Sequence, residues 1–270
     1  MVLYSVEDGV ATISLNRPEH RNAWCGPLAY RYVDLLLESN ANPDVHVVVV
    51  TATGNTFCVG ADVGVLDGLR EKVIGKSQEE IKRPPQNVPL EINKPVIAAL
   101  NGSAAGYGFA VMLYCDMRFA SNRAKFSTSF ARRGLSAENS TAWFLPRLIG
   151  PSKAADLLMS GRVLTADEAL SMGVVDRLYE PDQLLSATLA YAKDIATNCS
   201  PTSLAVMKRQ LQAYQHRSLA EAMITDAKIF HDSWKWPDLV EGITSFQEKR
   251  PPNFARVDEQ TVAEVREVLG

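Results

Sequence analysis

Lys94-Pro95-Val96-Ile97-Ala98-Ala99-Leu100-Asn101-Gly102-Ser103-Ala104-Ala105-Gly106-Tyr107-Gly108 carries the chain from an apolar strand into a glycine-rich turn. Phe109 to Cys115 follows as a buried helix, and Asp116 to Ala120 returns as a strand. The same order stands earlier. His46-Val47-Val48-Val49-Val50 is a buried strand, and Gly54-Asn55-Thr56-Phe57-Cys58-Val59-Gly60-Ala61-Asp62 is a second glycine-rich turn. This alternation of strands and helices predicts an α/β fold with a mostly parallel sheet and helices packed beside it.

Outward from these turns, residues 2–15 alternate as two strands around Asp8-Gly9, a hairpin signal. Pro27 opens a helix in which Leu28, Tyr32, Leu35 and Leu36 recur at helical spacing up to about Ser39. Residues 68–87 are charged and end in Arg83-Pro84-Pro85, so a mobile loop or lid is expected there. After about residue 139 the pattern becomes helical, over 140–149, 151–160, 166–172, 182–198, 202–213, 217–232 and 237–248. Val174 to Tyr179 reads as a strand, and a weakly amphipathic tail begins at Asp258. The pattern divides the chain into a core of residues 1–200 and a C-terminal helical region of residues 201–270. The late amphipathic helices suit an arm that packs on the core or on a neighbouring subunit.

A chain of 270 residues supports a large core without staples. The formal net charge of −3 supplies no wide basic field, so nucleic acid is not an expected partner. Cys25, Cys58, Cys115 and Cys199 lack CxxC spacing and three of them lie in apolar surroundings, so reduced thiols in the core are expected rather than disulfides, which favours an intracellular, cytoplasmic setting. His20, His46, His216 and His231 form neither HxxxH nor HExxH, so no metal site is expected. No stretch is long enough to span a bilayer, and Glu7 and Asp8 argue against a secretory signal, so no membrane association is expected.

Neither glycine turn fits a nucleotide loop. The first lacks the GxxxxGK[ST] lysine, and the second has Val111 where a third glycine or alanine would complete GxGxxG. Glycines beside a helix start can instead bring bare backbone N–H groups against a ligand carbonyl, with the positive end of the helix dipole behind them. Two such turns can make an oxyanion hole. They also have a purely structural reading, in which they let helices pack close to strands.

With these turns stand Leu15-Asn16-Arg17-Pro18-Glu19-His20-Arg21-Asn22-Ala23 ahead of the first, Cys115-Asp116 after the second, and the late Gly173-Val174-Val175-Asp176. In order and spacing the set resembles the enoyl-CoA hydratase/isomerase, or crotonase, family over nearly the whole length. The resemblance implies a crotonase-like spiral of repeated strand-strand-helix units and a C-terminal helical trimerisation region. Homotrimers, often paired into dimers of trimers, are implied with it. It further implies an acyl-CoA substrate, with no cofactor apart from the coenzyme A that the substrate carries.

Carried over residue by residue, the resemblance makes the backbone N–H groups of Val59 and Tyr107 the oxyanion donors, with Gly106 in the second turn. Tyr107 departs from the small residue common at its place, so its side chain narrows or redirects the acyl pocket. Family hydratases use two glutamates, and their positions here are Ala110 and Phe130. Water addition by a carboxylate pair therefore lacks both groups. Glu138 resembles the single glutamate of one branch of the family's isomerases, in an apolar setting near Trp143 and Phe130. That setting would raise its pKa and the following helix start would lower it. A structural reading of Glu138 is complementation of that helix start, worth about 0.3–1 kcal/mol.

For the substrate, the resemblance implies Arg21 near the CoA phosphates and the backbone of Ala23, Ala61, Asp62 and Val63 near the adenine end. It also implies that Phe246 and Lys249 reach CoA from an adjacent subunit. Asp116 reads as a structural hydrogen-bonding acid at a strand start. Three functions stay open: an isomerase using Glu138, a 2-enoyl-CoA hydratase using Glu138 and a bound water, and a catalytically silent acyl-CoA-binding protein.

Overall fold

Runs of β-branched residues become the strands that organise the molecule. The computed structural model describes residues 1–62, 64, 74, 76 and 84–269. Strands β1 (Val2–Glu7) and β2 (Val10–Leu15) form the expected antiparallel hairpin, with Val2 opposite Leu15. Helix α1 (Gly26–Ala41) follows, then β3 (Val47–Ala52) and β4 (Thr56–Cys58). A short helix α2 (Val88–Glu91) leads to β5 (Val96–Leu100), β6 (Ser103–Ala105) and helix α3 (Tyr107–Leu113). Next come β7 (Met117–Ser121), β8 (Lys125–Ser127), α4 (Thr141–Ile149) and α5 (Pro151–Ser160). The chain continues through β9 (Leu164–Thr165), α6 (Ala166–Met172), β10 (Arg177–Tyr179) and α7 (Leu184–Asn198). Helices α8 (Pro201–Ala213), α9 (Leu219–Ser233), α10 (Pro237–Glu248) and α11 (Glu259–Leu269) complete it.

Two sheets result. The larger has the order β1-β2-β3-β5-β7-β10 and is parallel except for the hairpin, and the smaller has the order β4-β6-β8-β9. Each of the pairs β3–β4, β5–β6 and β7–β8 therefore places one strand in each sheet. The main chain winds as the expected spiral. Val48 and Val50 join the core with Leu28, Leu35 and Leu36 of α1, while Val47 and Val49 face Leu184, Ala192 and Ala196 of α7. Burial on both faces explains the unbroken valine run, each side chain contributing about 1.5–3 kcal/mol.

No local pattern in the sequence marks the strands of the smaller sheet, which enter only as the second strand of each implied strand-strand-helix unit. These strands are two or three residues long and lie partly inside the glycine turns, too short for any alternation to show. Two further boundaries differ. The expected strand over Val174–Tyr179 begins only at Arg177, because Val174 and Val175 are buried in the turn before it. The tail after Asp258 is the regular helix α11, which buries Val262, Val265 and Leu269, the last two packing on Val206 and Ile229. The lid expected at 68–87 falls mostly outside the described residues. All four cysteines are free, and burial pushes the Cys58 and Cys115 thiols up to about 12.

The sheets bring the glycine turns together. Parallel pairing of β4 with β6 sets Cys58 beside Ala104, and α3 starts immediately beyond. A side-chain carbon on Gly108 would stand 2.3 Å from the Cys58 carbonyl oxygen, so only glycine permits this approach.

The C-terminal helices are locked to the core by an ion pair between the buried Lys208 and the half-buried Asp116. Lys208 Nζ of α8 donates to Asp116 Oδ2 at 2.8 Å and to the carbonyls of Pro89 and Lys94 at 2.6 and 2.9 Å. Asp116 Oδ2 also accepts the Val96 N–H at 2.7 Å. The structural role read for Asp116 is thus visible, with a partner 92 residues away, far beyond the reach of local pattern.

Gly108→Ala is expected to force α3 off β4 and destabilise the fold by at least about 2 kcal/mol. Urea denaturation checks this, and an unchanged midpoint would contradict the packing described. Asp116→Asn leaves the buried Lys208 ammonium uncompensated and is expected to cost about 3 kcal/mol in the same assay.

Candidate active site

The first turn is held by a residue to which the sequence reading gave no role. Asn22 is fully buried at φ 54°. Its Nδ2 donates to the carbonyls of Thr53 at 3.0 Å and Thr56 at 2.8 Å, and its Oδ1 accepts the Arg17 N–H at 2.7 Å. Arg17 in turn donates to the Ala23 carbonyl at 2.8 Å and pairs with Asp62 Oδ2 at 3.2 Å. Arg17 and Asn22 therefore clasp the loop before α1 to the loop after β3. Their signal was present as polar residues in the family-like stretch, but only the fold supplies their partners.

This clasp orients the N–H groups of the first turn. Val59 N–H, expected to face a ligand, donates to the Arg21 carbonyl at 3.3 Å. Farther along, Trp24 N–H donates to Gly60 O at 2.7 Å and Asp62 N–H donates to Trp24 O at 3.0 Å, forming a parallel bridge between Trp24 and Ala61. Extended backbone alternates, so with Gly60 O and Asp62 N turned toward Trp24, the Ala61 N–H points to the opposite side. Alternation moves the candidate donor from Val59 to Ala61.

The second turn lies against the first. Gly60 takes φ +103°, and a side-chain carbon there would sit 3.5 Å from the Tyr107 nitrogen and 3.0 Å from the Ala105 carbonyl oxygen. Gly106 N–H donates to Ser127 O at 3.0 Å, which ties the turn to β8. The half-buried Tyr107 ring packs on Trp24, with centroids 5.1 Å apart and planes tilted by 34°. Trp24 meets Tyr32 edge-on at 5.5 Å. Burial, then Cys115 and Tyr107, push the Tyr32 phenol well above its ordinary value. Among the described residues, Trp24 Nε1 and the Tyr32 hydroxyl are buried with no hydrogen-bond partner.

The positions where a carboxylate pair would stand are apolar and closed. Ala110 is buried in α3, and Phe130 is buried after β8. Glu138 is half-buried in the loop that enters α4. Its carbonyl accepts the Thr141 N–H at 3.1 Å and the Thr141 hydroxyl at 2.6 Å. Trp143 stacks on His216 at 5.6 Å, meets Phe144 edge-on at 4.8 Å, and carries the Arg147 guanidinium 4.1 Å from its ring centroid. These partners turn the ring toward the C-terminal arm, which the sequence did not foretell.

The remaining expected residues are spread more widely. Arg21 is exposed at φ 49°, and Ala23 is buried with its carbonyl held by Arg17. Val63 lies outside the described residues. Phe246 is 84% exposed, and Lys249 is exposed at the end of α10, with no described contact to either glycine turn. Clefts of about 620 Å³ beside Asp156 and Arg162, and about 580 Å³ between α8 and α10, contain none of the expected site residues. The converging backbone turns therefore define the candidate site better than cavity size does. Among the described residues no helix is long and apolar enough to cross a membrane.

Comparison with known proteins agrees with the motif order and the spiral. Residues 5–257 match the family described as enoyl-CoA hydratase/isomerase. The chain is 34% identical over 251 residues to an enoyl-CoA hydratase of Alternaria alternata, covering 92% of this chain and 83% of that one. It is 28% identical over 257 residues to a 1,2-epoxyphenylacetyl-CoA isomerase of Escherichia coli, covering 94% and 97%. A crystal structure of an enoyl-CoA hydratase from Polaromonas sp. JS666 superposes with a TM-score of 0.85 at 28% identity, over 94% of this chain and 99% of that one. The paired glycine turns, the two-sheet spiral and a family match spanning nearly every residue meet in one assignment: the chain belongs to the enoyl-CoA hydratase/isomerase family and is an enzyme of that type.

Proposed function

We propose that this enzyme is an enoyl-CoA isomerase that holds the thioester oxygen on the backbone N–H groups of Ala61 and Tyr107 and moves one proton with Glu138. The observation that carries this reading is the pair of buried, apolar residues Ala110 and Phe130 where a water-activating carboxylate pair would stand. Glu138 is then the carboxylate left to do proton chemistry, and an isomerisation needs only one. It takes a proton from C2 of a 3-enoyl thioester, the electrons pass into a dienolate, and the same carboxyl returns a proton at C4 to give the 2-enoyl product. Negative charge grows on the thioester oxygen during the first step. Each preorganised N–H donor there is worth roughly 3 kcal/mol of barrier.

A second reading, hydration of a 2-enoyl-CoA with Glu138 and a bound water, is favoured by the 34% identity to the Alternaria hydratase. Formation of 3-hydroxyacyl-CoA separates it from isomerisation. On either reading the substrate brings its own coenzyme A, and no other cofactor enters the chemistry. We further place the enzyme in the cytoplasm as a homotrimer or dimer of trimers. Leu211, Leu219, Ile224, Phe230 and Trp234 on and around the C-terminal helices are each more than 60% exposed, an apolar surface that supports burial against other protomers. In such an assembly Phe246 and Lys249 would reach a neighbour's CoA, while Arg21 would meet the phosphates of the chain's own.

Glu138→Gln is expected to reduce 3-enoyl-CoA isomerisation by at least about a hundredfold, in line with loss of a general base. Mass spectrometry of a 2-enoyl-CoA and 3-enoyl-CoA panel in deuterated water checks this. Bond migration and deuterium uptake at the normal rate in the variant would remove Glu138 from the mechanism. Tyr107→Ala keeps the backbone donor and removes the ring. It is expected to raise kcat/KM for bulky relative to short acyl groups about tenfold, and an unchanged ratio would show that the ring does not bound the acyl pocket. Light scattering should give a mass of three or six chains, and a monomer would contradict the proposed assembly.

A further inference from the structure

We infer that Tyr114 is a positioning residue for Glu138, anchoring the backbone beside that carboxylate from the far end of the helix that begins at Tyr107. The inference rests on the reading of Glu138 as the proton carrier. Tyr114 directly follows α3, whose first residue supplies a proposed oxyanion donor. One short, rigid element thus connects both halves of the chemistry.

The Tyr114 hydroxyl donates to the Asn139 carbonyl at 2.9 Å, one residue from Glu138. Asn139 and Ser140 both lie in the left-handed region, at φ 52° and 56°. Residues with side chains adopt that conformation at a cost, so two in succession persist only where neighbours hold them. Two bonds do so here: the Thr141 hydroxyl takes the Glu138 carbonyl, and Tyr114 takes the next one.

The phenol itself has little freedom. Tyr114 is 4% exposed, and its ring meets Phe144 of α4 edge-on at 5.3 Å and 87°. Burial pushes its pKa up, with the Ser140 side chain drawing it partly back, so it remains a protonated donor wherever carboxylates titrate. If the Glu138 loop drifted relative to α3, the carboxyl would leave the enolate held at the other end of that helix. A misplacement of about 1 Å costs on the order of a hundredfold in rate.

The test is the pH profile of kcat, with KM, for the full chain, Tyr114→Phe and Glu138→Gln on one 3-enoyl-CoA substrate. Thermal midpoints establish that each variant is folded. Tyr114→Phe is expected to lower kcat about tenfold with KM within about twofold, and to alter the acid limb of the profile. An unchanged kcat overturns the inference. So does a lowered kcat with an unaltered acid limb, the signature of a general structural loss. Glu138→Gln should lose turnover or the acid limb. If it keeps both, the reading of Glu138 has failed and this inference falls with it, an outcome distinct from failure of Tyr114 alone.

Discussion

The contact between α3 and β4 is the constraint on which the candidate site depends. Gly108 rests on the Cys58 carbonyl, and Gly60 lies beside the Tyr107 nitrogen, so two backbone turns approach with no side chain between them. Parallel pairing of three-residue strands sets that approach, and the valine-rich larger sheet beneath makes it rigid. On the proposed reading, a pair of N–H groups fixed in this way requires little reorganisation when charge develops on a substrate oxygen, and that would be the source of its catalytic value.

Polar residues finish what the core begins. Asn22 satisfies two carbonyls and one N–H in the loops around the first turn, and Arg17 extends the clasp to Asp62. Asp116 and Lys208 perform a comparable task between β5, β7 and α8. Such groups are costly to bury alone and stable only with every partner in place. In the loop before α4, where Asn139 and Ser140 take positive φ, the Thr141 and Tyr114 hydroxyls hold the carbonyls of Glu138 and Asn139.

Much of this was legible in the sequence because strong local patterns were not overridden. The hairpin around Asp8-Gly9, the α1 stripe, the valine strand β3 and most late helices stand where periodicity puts them. The smaller sheet was not legible, since Thr56–Cys58 and Ser103–Ala105 are too short to show a period. The candidate site was read in outline from the two glycine turns, but not in detail. Choosing between Val59 and Ala61 requires the direction of each N–H, which depends on pairing with Trp24, 37 positions upstream of Ala61. Asn22, Tyr114 and the Trp143–His216 stack were equally hidden, because their roles consist of partners distant in sequence.

The proposed proton transfer by a single carboxylate, with the thioester oxygen on two backbone donors, makes one geometric demand. The most direct test is a crystal structure with a bound, unreactive 3-enoyl-CoA analogue. The thioester oxygen is predicted to lie about 2.7–3.1 Å from the nitrogens of Ala61 and Tyr107, with the Glu138 carboxyl facing C2. A thioester oxygen held by Val59, or a Glu138 carboxyl turned away from the acyl chain, would contradict the account.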